Sequence, residues 1–584
     1  MFISQPDITQ NTDLVNFTVK VNGQEVQRGY RFLRVEVSRG VNRIPSAILV
    51  ISDGDPSSQT FPASSSEVFI PGNEIEIMAG YHSELERIFK GIIISHGIKI
   101  SNIHASQLVV ECRDAAFRLT VGRKTRLFDD SADSDAIASI LTACNLQNDV
   151  AATTDIHEKI VQYNATDWDF INMRAEMNGM FVFANDGSVE VKRFETSLEP
   201  VIPVVFGANI IAFEAGIDAR NQFNGVKSQS WDSAGMQIFE MDGTAEGIAT
   251  PGNFTPRQLS QVSGLDFLTL RHSGQITENE LKAWSDAILT RSLLAMNTGK
   301  ITINGHASLK PGDMISLNGL GSRFNGNAPL SAVRHVIDEG TWFTHLVYGV
   351  NFETFAQRFK ENLAENPASG LVPPVFGLQT GIVMKLENDP KSEYRIKVKI
   401  PAFSMSDEGL WARLATPVAG NGYGFIFRPE IGSEVVVGFM NDDPRNPVVL
   451  GSMHSSWSPA YDEATDDNYI KTLITRGGVK IQIDDDRNIV EVATPNGNSL
   501  KMDESAGEVT LNDNNNNQIK FSADGIFLES GGNISIKSAS GDISIEAINL
   551  NLSATSSLKA EGSAGLEATS SAVLKIQGSI VQIN

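Results

Sequence analysis

Apolar residues recur at every second position through most of this chain. Val15, Phe17, Val19 and Val21 alternate with polar neighbours and stop at Asn22-Gly23. Alternation with period two loads one face of a strand, and Asn-Gly between such runs signals a two-residue hairpin. Similar runs continue through FLRVEV, SAILVIS, EIEIMAGY, IFKGIIISHGIKI and QLVVECR. Three stretches switch to the helical period. DSDAIASILTACN turns Ile137, Ile140 and Leu141 inward, with Ser134 or Asp133 as its cap. Asp167 to Asn178 reads as a second helix with Gly179 at C′. A third opens on Thr277-x-x-Glu280, a capping box, and faces Leu281, Trp284 and Ile288 inward. Residues 1–363 are therefore expected to be a β-rich region with a few inserted helices.

Residues 364–377 hold three prolines and two glycines and read as a linker. Residues 378–455 pack five or more short strands between Gly and Pro punctuation, which suggests a small barrel such as an OB fold. From 456 to 584 the pattern becomes a repeat. Leu550, Leu558, Leu566 and Leu574 recur every eight residues, and Ile534/Ile536, Ile543/Ile545 and Ile548/Leu550/Leu552 alternate within it. Eight residues fit one short strand plus one corner, the sign of a stacked architecture in which no repeat covers its own apolar face. Asp484–Asp486 and Asn514–Asn517 read as turns in it. One aliphatic per corner is too thin a core for a single chain, whereas several chains wound together could bury it. A disordered Ser/Ala-rich tail is the competing reading. The absence of proline after Pro495 and the in-register β-branched residues count against it.

Charge narrows the partners. The net charge of −23 argues against nucleic acid, whose phosphates need a basic stripe. Three associated chains would carry three times −23, so their central contacts would have to be apolar. The two cysteines, Cys112 and Cys144, have no CxxC neighbour and no histidine at metal spacing, and read as buried thiols. The N-terminus lacks the pattern of a signal peptide, and no apolar stretch is long enough to span a membrane, so synthesis in the cytoplasm is expected. Metalloprotease, nucleophile-elbow, P-loop and dinucleotide motifs are missing. Gly420–Gly424 reads as a tight loop, Asp484–Asp486 as a solvated turn, and His82 to Glu86 lacks metal spacing. No catalytic, cofactor or metal site is expected, and the chain does not read as an enzyme.

Longer motifs carry a resemblance. FIPGNEIEI, IFKGII, VECRDAAFRLTVGR, QYNATDWDFINMRAEMNGM, and RFNGNAPLSAVRH followed by GTWFTHLVYG mark the first region. YRIKVKIP, LWARLATPVAG and GFIFRPEIGSEVVVGFMNDDPRNPVVLGS mark the barrel, and LKIQGSIVQIN the C-terminus. The chain resembles VgrG-family spike proteins of contractile injection systems and, in outline, the fused hub and needle proteins of phage baseplates. That resemblance implies a homotrimer. Residues 1–363, with two barrel modules, would form the hub that docks a hexameric inner tube among the baseplate components. The OB-fold barrel would be a collar, and residues 456–584 a triple-stranded intertwined β-helix with Leu550, Leu558, Leu566 and Leu574 in its core. Its tip, at Gly578, Ile580, Val581, Ile583 and Asn584, would carry a conical PAAR-repeat protein. The particle would assemble in the cytoplasm, act outside the cell and puncture a target membrane. Two departures stand out. No lysozyme domain separates barrel from needle, and His454 is the last histidine, so a His-x-His tip metal site is not expected. The motifs leave open whether the system is a type VI apparatus, an extracellular injection particle or a phage-like tail. The alternatives are a trimeric phage-like tail fibre or adhesin, which would favour a receptor-binding head beyond the shaft, and a β-helix polysaccharide-degrading enzyme, which would need longer coils and a catalytic cleft.

Overall fold

A computed structural model describes residues 14–27, 29–101, 106–232, 235–245, 247–274, 276–360, 366–403 and 408–583. The chain divides into two units, Met1–Pro374 and Val375–Asn584, with the break inside the proline-rich stretch at 364–377.

A thirteen-stranded sheet organises the first unit. The Asn22-Gly23 turn forms as its sequence requires. Both residues take positive φ, +52° and +79°, and set Val21 opposite Gln24. Strand Phe32–Gly40 pairs on one side with Ser46–Ser52 and on the other with Gly326–Asp338, so the two ends of the unit share one sheet. Alternation then builds two cores. One gathers Val37, Leu49, Ile77, Phe89 and Val110; the other gathers Ile301, Ile315, Leu330, Leu346 and Tyr348.

The helices form where the period predicts them, but their caps differ. Helix Asp133–Ala143 has Ala132 at N-cap and no side-chain cap bond. The candidate caps are engaged elsewhere. Ser134 pairs reciprocally with Thr153, and the buried Asp133 carboxylate accepts from Arg174 Nη2 at 2.8 Å. A buried carboxylate gains more from a guanidinium than from a backbone N–H, because its charge is otherwise uncompensated. Helix Asp167–Met177 is capped by Thr166, and Gly179 follows with φ +69°. Helix Glu278–Leu294 is capped by Thr277, but Glu280 does not close the box, and its carboxylate lies 3.4 Å from Arg174 Nη2. Complete capping boxes belong to two unanticipated helices, Pro256–Ser263, through Thr255 and Gln258, and the single turn Phe355–Arg358, through Thr354 and Gln357.

In the second unit five strands close a barrel in the order Gln379–Lys385, Ile396–Lys399, Leu410–Leu414, Pro447–Ser452, Glu434–Phe439. Val383, Val398, Ala412, Val435, Val437 and Val449 fill it. Gly381 belongs to that packing, since a Cβ there would sit 2.5 Å from Val398 and 2.8 Å from Val437. Beyond the barrel, the eight-residue repeat does not begin at 456. Residues 470–529 instead form a seven-stranded antiparallel meander. Positive φ at Asn488 (+52°) and Gly507 (+67°) turns successive strands back on each other. No strand follows Glu529 among the described residues.

Burial sets one pH dependence. His335 is 1% exposed, and its Nδ1 lies 3.0 Å from Thr344 Oγ1. Desolvation, and then the Arg39 charge, lower its pKa to about 3. The unfolded chain takes up this proton near 6.5 and the folded chain only near 3, so the contribution to stability is whole above 6.5 and is lost as pH falls through that window. His335→Gln should flatten the fall in unfolding free energy between pH 6 and 4 relative to the unsubstituted chain. Equal slopes in paired denaturant titrations would contradict this reading.

Candidate assembly interface

The meander is built of five-residue strands, each with an odd and an even face. Its register puts apolar side chains directly opposite one another. Leu473 faces Ile481, Ile481 faces Val492, Val492 faces Leu500, and Leu500 faces Leu511. The row continues from Leu511 to Ile519 and Leu528, and a parallel row joins Ile483, Val490, Met502, Val509, Phe521 and Ile526. Such cross-strand pairs are the unit of sheet stabilisation.

The other face holds cross-linked polar groups. Lys480 Nζ reaches Glu491 at 3.0 Å, Lys501 reaches Asp503 at 2.7 Å, and Lys520 reaches Glu508 at 2.5 Å. Gln518 donates to Asn512 at 2.8 Å. The turns are similarly tied. Backbone N–H of Asn517, then its side chain, hold the Asp513 carboxyl down to about 2. Asp484 accepts from the backbone of Asp486 and Arg487 and pairs with the Arg487 guanidinium.

Exposure within one chain is inverted. The polar ladder is half-buried, while Leu500 is 40%, Phe521 47% and Leu511 49% exposed. A contiguous apolar face of this size is uncommon on an isolated soluble surface and marks an interaction site. Covering each of these half-exposed side chains is worth roughly 1 kcal/mol.

The repeat follows. Bends fall at 548–549, 555–556, 563–564, 571–572 and 579–580; from 555 on they keep the eight-residue spacing of the leucines, and the first interval is one residue shorter. Leu558, Leu566 and Leu574 each sit two residues past a bend and Leu550 one residue past. The leucines stand at one phase of the repeat, but nothing in a single chain covers them: Leu550 is 55%, Leu558 68%, Leu566 70% and Leu574 58% exposed. Among the described residues, no backbone-to-backbone hydrogen bond involves 533–583. Their N–H and C=O groups are satisfied by solvent or by another strand. At the far end Gly578 is exposed, with Ile580 and Ile583 each 86% and Val581 50% exposed. Asn584 lies outside the described residues.

One cluster had no signal in the spacing of the sequence. Asp155, His157 and Glu280 place ligand atoms within 4.8 Å of one another. The cluster already has a cation. Arg174 Nη2 lies 3.2 Å from His157 Nε2 and 3.4 Å from Glu280, while Thr277 donates to Asp155 at 2.7 Å. These groups brace two helices against the strand Ile156–Ala165. Gly420 and Tyr423 pair across a tight hairpin turn, as expected of that glycine-rich stretch.

Two family profiles match the chain. One, described as the Alg8 N-terminal domain, covers residues 11–339. The other, the type VI secretion system/phage-baseplate injector OB domain, covers residues 379–454 and so coincides with the closed barrel. Among curated proteins, type VI secretion system spike protein VgrG4b of Pseudomonas aeruginosa is 33% identical over 94 residues, which is 15% of this chain and 12% of that protein. Spike protein VgrG3 of Vibrio cholerae is 36% identical over 85 residues, 14% of this chain and 8% of that protein. These matches span about a tenth of the relatives' length. Among solved structures, the 43 kDa tail protein of prophage MuSo2 from Shewanella oneidensis aligns with a TM-score of 0.44 at 13% identity, over 58% of this chain and 98% of that one. A Francisella PdpA-VgrG complex chain aligns at 0.39 and 9% identity, over 89% of this chain and 81% of that one.

The two halves of the surface differ in a measurable way. In dilute single chains, amides of 470–529 should resist hydrogen exchange while those of 533–583 exchange freely. On self-association the second set should become protected. Protection of 533–583 in a demonstrated monomer would contradict this division.

Proposed function

The chain belongs to the Alg8 N-terminal-domain family and carries the OB domain of type VI secretion and phage-baseplate injectors, and on that premise we propose that it is the structural central spike of a contractile injection system. The observation that carries the reading is the apolar meander face followed by corner repeats, neither of which one chain can cover. A closed symmetric assembly buries such a face without leaving strand edges open. The spike is a homotrimer. Three meanders turn their apolar faces inward, and the repeats beyond them wind into an intertwined β-helix cored by Leu550, Leu558, Leu566 and Leu574. Residues 1–363 are the hub on which a hexameric inner tube stacks among baseplate components, and the barrel at 378–455 is the collar. The protein works by shape and stiffness, as a needle pressed through a target membrane, and not as an enzyme. Chains are made in the cytoplasm and reach the outside on the particle.

The tip is the surface at Gly578, Ile580, Val581 and Ile583, with Asn584 beyond it. Its exposed aliphatics and open backbone edges suit a cap with its own β-structure, such as a PAAR-repeat protein.

Two variants test these assignments. Leu558→Asp brings three carboxylates together in the needle, at several kcal/mol each for burying an unpaired charge. Proteolysis should then begin in the 540–584 segment, which is resistant in the unsubstituted spike; unchanged resistance would sink the β-helix. Deleting 579–584 should leave the oligomer intact and abolish capture of a PAAR-repeat protein in a pull-down. Undiminished capture would place the cap elsewhere.

A further inference from the structure

We propose that a cationic cleft in the first unit is a docking site for an acidic segment of a partner polypeptide that carries an apolar anchor. The inference stands apart from the needle surfaces and holds whether or not the chain is a spike.

The cleft has a volume of about 950 Å³ and lies on one face of the large sheet. Strand register gives its floor. One row runs Thr302, His345, Arg334, Ser38, Ser46, Arg113 across neighbouring strands, and Ala332 and Gly40 lie in the next. Serine, alanine and glycine keep the middle of the floor low, so a polypeptide backbone can approach it closely. Phe359, 38% exposed and 4.8 Å from the Phe355 ring, offers an apolar contact at the margin.

Charge identifies the occupant. The cleft is lined by Arg43, Arg113, Lys300 and Arg334 against two carboxylates, Asp169 and Glu214. Arg39 also lines it but is buried and bound to Asp186 at 3.0 Å. Arg334 has a distant partner in Glu36 at 3.6 Å. Glu214 stands opposite Lys300 in the ladder without closing an ion pair. Among the described residues, Arg43, Arg113 and Lys300 form none. In a chain with 70 acidic and 47 basic residues, unpaired cations gathered in one concavity are the exception to the overall field. A cleft of one sign attracts an opposite charge and orients its approach. Planar guanidinium groups suit carboxylates held in two-pronged hydrogen bonds. A nucleic acid fits less well, because its long phosphate track would meet the −23 surface around a local cleft.

Fluorescence anisotropy on the full-length chain tests this. The probes are a labelled peptide of eight glutamates around one leucine, the same peptide with glutamines, and an eight-residue oligothymidylate. The glutamate peptide should bind at low salt and the glutamine peptide should not. Arg43→Glu with Lys300→Glu should weaken binding at least tenfold at an unchanged unfolding temperature. If that double variant unfolds, Arg43→Gln with Lys300→Gln serves, with a smaller but clear loss expected. No binding of the glutamate peptide, equal binding by the folded variant, or tighter binding of the oligothymidylate would each overturn the proposal. The mass of the same sample reports separately on the oligomer.

Discussion

An apolar sheet face that its own chain cannot cover is the constraint on which the second unit depends. Six of the seven five-residue strands of the meander contribute two large apolar side chains to one face, the first contributing Leu473 alone, and direct cross-strand pairing fuses them into one surface. The opposite face has already spent its polar groups on one another through Lys480–Glu491, Lys520–Glu508 and Gln518–Asn512. The sheet therefore has one finished side and one unfinished side. Covering the unfinished side with further copies preserves every in-chain hydrogen bond and removes the apolar surface from water.

The remainder of the chain depends less on partners. The barrel closes on itself and fills with valine, isoleucine and alanine, so it has no comparable open face within its interior. The first unit secures its inserted helices with buried charge. Asp167, with no exposed side-chain surface, accepts from Lys124 at 2.5 Å and Arg126 at 2.9 Å, and Gln162 adds a bond at 2.9 Å. Arg291 joins Glu176 at 2.8 Å and reaches backbone carbonyls of Asn351 and Glu353. Buried pairs of this kind specify position more than they add stability, and loss of one partner is costly.

Local chemistry made much of this legible. Asn22-Gly23 dictated its hairpin through two positive-φ residues, and Gly179 marked the end of the helix that begins at Asp167. From residue 555 on, the eight-residue leucine spacing reappears in the bends. Long-range competition hid the rest. Asp133 resembled a cap until Arg174, 41 residues away, claimed its carboxylate. Glu280 resembled half of a capping box until the same arginine drew it off. Alternation alone could not separate the meander at 470–529 from the repeat that follows it, because the repeat opens with runs of the same kind, Ile534/Ile536 and Ile543/Ile545. What differs is the turn, tight at Asn488 and Gly507 and an open bend beyond 531. The cationic cleft had no sequence signature, since its row is assembled from strands that lie far apart in the chain.

Whether copies of the chain cover the meander's apolar face is read from the solution mass of the full-length chain by light scattering across a hundredfold range of concentration. A concentration-independent trimer at three times 63.3 kDa, about 190 kDa, is expected. A stable, monodisperse species of 63.3 kDa would mean that one chain covers its own apolar face, and would contradict it.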